Sequence, residues 1–586
     1  MDSNDTTTRL TAADEKASAQ KLRQNYAREA FPDWPNEAGF DGLTEHRGPI
    51  GLQVKGTIPA WAAGSLFRTG PGDCKVENTK VGTFNITHWF DGIAHLHRFD
   101  ILPPGEGDNA ASGVRVQYSS RRPTEAFVKD IQATGMIRAL SFGQRADPCV
   151  GMFSKFMTMF KRPECYENIG VTVHANLPGL PSVAEKRKQQ QQKSGAGPTD
   201  QGHRAVPATK IDKLFLATDT SWFCEVDPET MQELAFVNYA KLHPELKGLT
   251  GPAHIQHDEE TGDYYSFNID FGPAATFRVF QVSAATGRTT ILGKFASKGG
   301  YIHSFFLTQN YVVVCVPVAH FKLAGAQVLL EGCQLEAWKE FDPSEPCRWY
   351  VVDRRHGRGV VGRFESPAGF FFHSVNAFEN DEGDVLCDLV WYRDNAIVSS
   401  MYYDVLLNRD NAGKVFWADR QKKLNCFPTL VRYRLAKSGM GAAKGSKVPA
   451  ASLDFELHAP HAGDMPTINP RYACKRHRYV YCLNNRGRST LFDGLAKVDM
   501  ETRDVLMWAG PPGHSPGEAI FLGRPGAEGE DDGVLLSVVL DGENKKSYLL
   551  CLDARTMTEL GRAECEFAIA IGLHGQHVRV GGGQSS

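Results

Sequence analysis

From about Leu52 to the C-terminus, short apolar and aromatic runs alternate with polar, turn-forming residues, a pattern that predicts strands and hairpins rather than long helices. One unit recurs: an apolar run, a D-x-x-T-like turn, then a second apolar run. It stands at FCEVDPETMQELAFV (turn Asp227–Thr230), FRVFQVSAATGRTTILGKF (Ser283–Thr286), LAKVDMETRDVLMWA (Asp499–Thr502) and YLLCLDARTMTELGRAE (Asp553–Thr556). RWYVVDRRHGRGVVGRF, around Asp353–Gly357, is a weaker copy. An aspartate opening such a turn can accept a hydrogen bond from the backbone two residues on. Hairpins of one type dispersed along the chain predict radial repetition, so the expected fold is all-β and a β-propeller. Stacked β-sandwiches are the alternative.

Residues 1–45 read as an N-terminal arm, with a short helix around Ala12–Ala30, and residues 46–586 as a single β-propeller domain. Two stretches break the strand pattern. EKRKQQQQKSGAGPTD, Glu185–Asp200 within an inserted loop of about 184–207, is polar and of low complexity and predicts a surface insertion. The insertion at 321–349 contains LAGAQVLLEGCQLEAWKEF, whose helical spacing predicts a lid or cap. Between Pro148 and Pro163, the apolar residues Val150, Met152, Phe153, Phe156, Met157, Met159 and Phe160 are interspersed with Lys155, Lys161 and Arg162. That run is too short to span a bilayer but suits a helix lying in its surface, so a segment of about 136–163 is expected to face a membrane; an ordinary core helix is the alternative.

Composition narrows the function. A net charge of −3 gives no footprint for nucleic acid. Thirteen scattered cysteines lack a C-x-x-C pair, which argues against a zinc ribbon or a disulfide framework. The polar start MDSNDTTTRLTAADEK has no apolar core of a secretory signal, and no run approaches the roughly 18 apolar residues of a membrane span. A cytoplasmic protein is expected.

Of nineteen histidines, four lie inside or beside apolar strand-like runs: His254 in GPAHIQHDEETGDYYSF, His303 in GGYIHSFFLTQNYVVV, His373 in GFFFHSVNAFE and His574 in AIAIGLHGQHV. Each imidazole nitrogen still needs a partner when buried, so an apolar strand is a poor place for one without a purpose. The inner strands of a propeller converge on one axis, where four imidazoles would make a site for iron, copper or zinc. His257 points to the opposite face from His254 if the segment is a strand, and reads as a bystander. No G-x-S-x-G elbow, H-E-x-x-H or P-loop is present.

The chain resembles the carotenoid cleavage oxygenases from about residue 50 to 580. The resemblance rests on GTIPAWAAGSLFRTGPG, HWFDGIAHLHRF, PAHIQHDEETGDYYSFN, YIHSFFLTQNYVVV, FFFHSVNAFEN, MPTINPRYACKRHRYVY, PGEAIF and EDDGVLLSVVL, in the family's order. It implies a seven-bladed β-propeller with a helical cap over an axial Fe(2+), held by His254, His303, His373 and His574. It further implies three carboxylates that orient three of the imidazoles: Glu518 in PGEAIF, Asp219 in ATDTSWF and Asp464 in GDMPTINP. Many relatives have Glu at the last two positions, so the shorter Asp must be met by a backbone shift, a bridging water or a lost contact. In relatives the stretch DPCVGMFSKFMTMF is a membrane-dipping patch, which implies peripheral association with membranes or lipid bodies. The implied reaction is O2-dependent cleavage of a conjugated double bond of a carotenoid, most like the fungal branch that cleaves torulene to an apocarotenal. Retinal-forming cleavage of β-carotene, stilbene cleavage, and isomerisation and hydrolysis of a retinoid ester stand as alternatives, and a non-enzymatic binding propeller stands outside the enzyme class. Stilbene cleavers use a Tyr and a Lys, and Tyr118 falls a few residues early for that role.

Overall fold

The computed structural model describes residues 34–104, 114–145, 167–187, 210–441 and 447–580, with isolated positions between 13 and 24. The apolar runs form antiparallel four-stranded sheets in chain order. The first comprises Thr172–Ala175, Leu214–Ala217, Trp222–Val226 and Glu233–Asn238; the next Gln256–His257, Tyr264–Asp270, Ala275–Val282 and Thr289–Ser297. Phe306–Leu307, Tyr311–Val316, Cys347–Asp353 and Val360–Ser366 make the third, and Ser374–Glu379, Val385–Trp391, Thr429–Leu435 and Ser452–His458 the fourth. The fifth comprises Asp464–Thr467, Tyr479–Asn484, Gly494–Asp499 and Val505–Trp508.

Adjacent sheets pack face to face, and strict side-chain alternation divides each middle strand between two neighbours. Val312, Val314 and Val316 join Phe267, Phe277 and Val279 of the preceding sheet. Val313 and Cys315 join Val385, Cys387 and Leu389 of the following one. Strands buried on both faces read as continuous apolar runs, and YVVVCV is such a run.

The recurring turn has one geometry. The Asp227 carboxylate accepts the amides of Glu229 and Thr230 and the Thr230 hydroxyl; Asp499 and Asp553 repeat the backbone part of the pattern at their own turns. The residue after the threonine then turns left-handed, at Met231 (φ 57°), Gly287 (φ 66°), Arg503 (φ 66°) and Met557 (φ 59°), and donates its amide back to the first residue's carbonyl. Asp258 opens a further copy that ends on Gly262 (φ 71°). Asp227→Ala removes the acceptor for three donors on an exposed turn and is expected to destabilise the protein by about 1–2 kcal/mol. A denaturant midpoint equal to wild type would refute this.

The expected seven blades and helical cap are not what the structure has. Among the described residues there are five separate four-stranded blades, and the remaining long strands run in one ten-stranded sheet. The joint is Ile50–Gly56, which pairs with Glu559–Glu564 on one side (Val54↔Ala563) and with Arg115–Arg121 on the other (Gly51↔Gln117). One strand shared by two groups removes the edge that would separate them, so hairpin repeats cannot count sheets. That sheet also joins the chain ends, since Gly575–Arg579 pairs with Gly64–Pro71. Among the described residues the helices are short pieces between strands, the longest being Glu125–Thr134, and no helical cap is seen. In the 321–349 insertion the helical spacing yields one short α-helix, Ala326–Glu331, flanked by 3-10 turns at Lys322–Gly325 and Leu335–Ala337, because Gly325 (φ 93°) and Gly332 (φ 65°) break it at both ends. The expected membrane-contact residues Val150–Phe160, most of the 184–207 insertion and most of the arm lie outside the described residues.

Candidate metal centre

Each of the four singled-out histidines sits just ahead of an edge strand of its sheet. His254 precedes Gln256–His257, His303 precedes Phe306–Leu307, His373 precedes Ser374–Glu379 and His574 precedes Gly575–Arg579. Those strands are innermost, so the loops entering them meet at one place. The Ser304 hydroxyl donates to the Phe372 carbonyl at 2.6 Å and accepts the Ser374 amide at 2.7 Å, tying the His303 and His373 loops together. The candidate ligand atoms of the four imidazoles all lie within 4.8 Å of one another. His254 Nε2 and His373 Nε2 are each 3.1 Å from His574 Nε2. His257 is outside this group, in the short strand that follows His254.

The three carboxylates named from sequence lie behind three of the rings. His303 Nδ1 is 2.8 Å from Asp219 Oδ1, His373 Nδ1 is 2.6 Å from Asp464 Oδ1, and His574 Nδ1 is 2.8 Å from Glu518 Oε1. The two aspartates reach their imidazoles directly, so neither contact is lost to the missing methylene. Burial pushes the His574 imidazole down to about 4 despite Glu518, and burial together with the neighbouring imidazoles holds His254 well below its ordinary value. Burial alone would raise the carboxyl of Asp464, but His373, the Tyr392 hydroxyl and the Met465 amide hold it below the ordinary range. At Glu518 the same opposition is won by His574 and Arg68.

The sequence reading missed the groups that hold these carboxylates. Tyr301 donates its hydroxyl to Asp219 Oδ2 at 2.9 Å, and Tyr392 donates to Asp464 Oδ2 at 2.6 Å. Arg68 donates to Glu518 Oε2 at 2.6 Å, joined by the Gly575 amide at 3.0 Å. Burial first, then the adjacent carboxylate, pushes both phenols well above their ordinary value, so they remain donors. Tyr301 was within reach of sequence reasoning, two residues before His303 and thus able to share its face; Tyr392 follows strand Val385–Trp391 and carries no such local signal.

A cleft opens beside His303, His373 and His574, with walls of Trp89, Phe90, Phe142, Phe372, Phe492 and Leu573 among others. About 900 Å³ of space lies between its lining side chains, part of it open to solvent. Among the phenylalanines flanking the proposed ligands, alternation sends Phe372 to this wall and Phe371 into the core between the third and fourth blades, where it stacks on Phe306, while Phe305 is buried between the second and third. HWFDG supplies Trp89 and Phe90, and also Asp91, whose carboxylate accepts the amides of Phe142 and Gly143 at 2.6 and 2.7 Å and so fixes the Phe142 wall. Burial pushes that carboxyl up to about 6. Among the described lining residues there is neither a Tyr nor a Lys, and Tyr118 is instead buried beside His97.

The model of the family described as RPE65, retinal pigment epithelial membrane protein, matches residues 39–579. A carotenoid dioxygenase of Neurospora crassa is 46% identical, over 98% of this chain and 96% of its own. A torulene dioxygenase of Gibberella fujikuroi is 44% identical, over 96% of this chain and 97% of its own. The solved structure of cobalt-substituted apocarotenoid oxygenase from Synechocystis shares the fold, with a TM-score of 0.69 at 19% identity, covering 94% of this chain and 99% of that one.

Proposed function

The chain belongs to the RPE65 and carotenoid oxygenase family, and from that premise we propose that it is an iron(II)-dependent dioxygenase cleaving torulene or a similar carotenoid with O2 to apocarotenal products. The observation that carries the proposal is the convergence of four imidazole nitrogens, three of them on rings that line the cleft. His373 and His574 commit their Nδ1 protons to carboxylates, which leaves two Nε2 lone pairs 3.1 Å apart. Facing lone pairs at that distance repel unless a cation lies between them, so the donor set fits a divalent metal held by His254, His303, His373 and His574. Iron(II) bound by four neutral ligands supplies one-electron chemistry with O2.

The protein's own part is orientation and exclusion of water. Asp219, Asp464 and Glu518 fix tautomer and ring direction at three of the ligands. Phe90, Phe142, Phe372 and Trp89 give a polyene an apolar wall, and their faces stabilise positive charge developing along it. Asp91 holds the Phe142 segment to that wall. No helix among the described residues is long and apolar enough to cross a membrane. Val150, Met152, Phe153, Phe156, Met157 and Phe160 are assigned to contact with the membrane surface, so that substrate passes from bilayer to cleft without crossing water. The assignment includes a cytoplasmic chain attached peripherally to membranes or lipid bodies, with one catalytic domain over 46–586 after the 1–45 arm.

The test is anaerobic metal analysis of the purified protein, then incubation with torulene in detergent under 18O2. Iron near one per chain, O2-dependent bleaching and labelled apocarotenal are the expected results, and product length identifies the bond cut. Iron with bleaching of β-carotene but not torulene would overturn the substrate and keep the reaction. A folded protein that takes up no iron would overturn the metal centre.

A further inference from the structure

Behind two of the converging imidazoles the polar chain continues one step further, in the same way twice. The Tyr301 hydroxyl is 2.9 Å from Asp219 Oδ2 and 3.0 Å from His303 Nδ1, while Asp219 Oδ1 is 2.8 Å from that same nitrogen. The Tyr392 hydroxyl is 2.6 Å from Asp464 Oδ2, while Asp464 Oδ1 is 2.6 Å from His373 Nδ1. All six groups are buried, Tyr301 and Tyr392 to 3% and 2% exposure. Both tyrosines pack on one aromatic ring, since Phe372 meets each edge-to-face, at 6.4 and 6.3 Å between centroids. Phe370 is held beside both: its amide donates to the Tyr392 carbonyl, and its ring stacks on Tyr301. The third carboxylate is held differently, by the Arg68 cation and a backbone amide.

We infer that Tyr301 and Tyr392 are positioning residues of the metal centre, each holding a short carboxylate so that it orients its histidine toward the metal. This rests on the metal-binding reading given above. An aspartate has two oxygens and few rotamers. If the outer oxygen loses its donor, it must turn to find another, and the inner oxygen leaves the imidazole with it. Each inner oxygen also accepts a backbone amide, Asp219 Oδ1 from Ala253 at 3.2 Å and Asp464 Oδ1 from Met465 at 2.8 Å, so the amide anchors one oxygen and the phenol the other, and a buried carboxylate oxygen left without its donor is costly. Glu518 needs no phenol, because the Arg68 cation and the Gly575 amide both donate to its outer oxygen. The same geometry makes the Phe372 wall of the cleft and the orientation of two ligands parts of one packed unit.

The experiment compares wild type with Tyr301→Phe, Tyr392→Phe and Asp219→Glu/Tyr301→Phe. Affinity for iron(II) and cobalt(II) is read by competition with a chelator under argon, alongside the visible spectrum of the cobalt form and the thermal midpoint of the metal-free protein. Each single variant is expected to bind metal about 10-fold more weakly, the lower end of the cost of losing a partner outside the ligand sphere. The cobalt spectrum should shift while the metal-free midpoint changes little. In the double variant the longer carboxylate occupies the space the hydroxyl leaves, and affinity should return toward wild type. Single variants that bind metal within twofold of wild type, or that lose affinity only in proportion to a lower metal-free midpoint, would overturn the inference and leave the metal centre standing. A folded wild type that binds neither metal would remove both.

Discussion

Replacing His303 with alanine is expected to abolish iron binding and carotenoid cleavage together. The ring supplies one of four imidazole donors, and its other nitrogen is the partner of Asp219 and lies 3.0 Å from the Tyr301 hydroxyl. Loss of a partner outside the ligand sphere typically costs 10–100-fold, so loss of a ligand should lower cleavage by at least about 10³-fold. The substitution also leaves Asp219 and Tyr301 buried without the imidazole, which costs about 1–3 kcal/mol of stability. His257→Ala separates the two effects: that ring is buried nearby but outside the converging group, so iron should stay bound while stability falls. Iron content and torulene turnover on the two variants check this. An alanine at 303 that retains full iron and full turnover would show that this imidazole is not a ligand.

The second large effect is acid sensitivity. Burial pushes His88, His97, His174 and His577 down to about 3 and His257, His320 and His477 to about 4. In the unfolded chain each would titrate near 6.5. Above that value neither state carries the protons, and these rings contribute no pH dependence. As pH falls below 6.5 the unfolded chain takes up protons that the folded chain refuses, so stability is lost progressively down to about pH 4. Each histidine contributes at most about 1.4 kcal/mol per pH unit, so seven acting together give a slope of several kcal/mol per unit. Against a net stability of roughly 5–15 kcal/mol, the metal-free protein should unfold between about pH 6 and pH 4.5. Denaturant titrations at half-unit pH steps would show a steep fall in that window. A stability that stays flat from pH 7 to pH 5 would mean that these rings are protonated in the folded state.

Much of the site was legible one residue at a time. A histidine inside an apolar run is unusual because both ring nitrogens demand partners, and four such histidines stood out on that ground alone. The recurring Asp-opened hairpins were readable because an Asx turn is a local structure, closed by atoms a few residues apart. The left-handed residue after each threonine was less visible, since Met231, Arg503 and Met557 are not residue types that favour it.

What the sequence by itself determined is the set of local commitments: short strands, turns closed by their own aspartates, and polar rings in apolar surroundings that had to meet something. Tertiary structure alone decided how those commitments were joined. The continuous ten-stranded sheet depends on Ile50–Gly56 pairing with Arg115–Arg121 on one side and with the distant Glu559–Glu564 on the other, a contact without local sequence signal. The helical spacing at 321–349 came to a six-residue α-helix between short 3-10 turns, because Gly325 and Gly332 turn left-handed there and end it. Likewise, the reach of Asp219 and Asp464 to their histidines depends on Tyr301 and Tyr392, from other parts of the fold. Local hydrogen bonds are specified by neighbours along the chain, whereas sheet edges and the donors of a buried carboxylate are specified only by what the folded chain brings beside them.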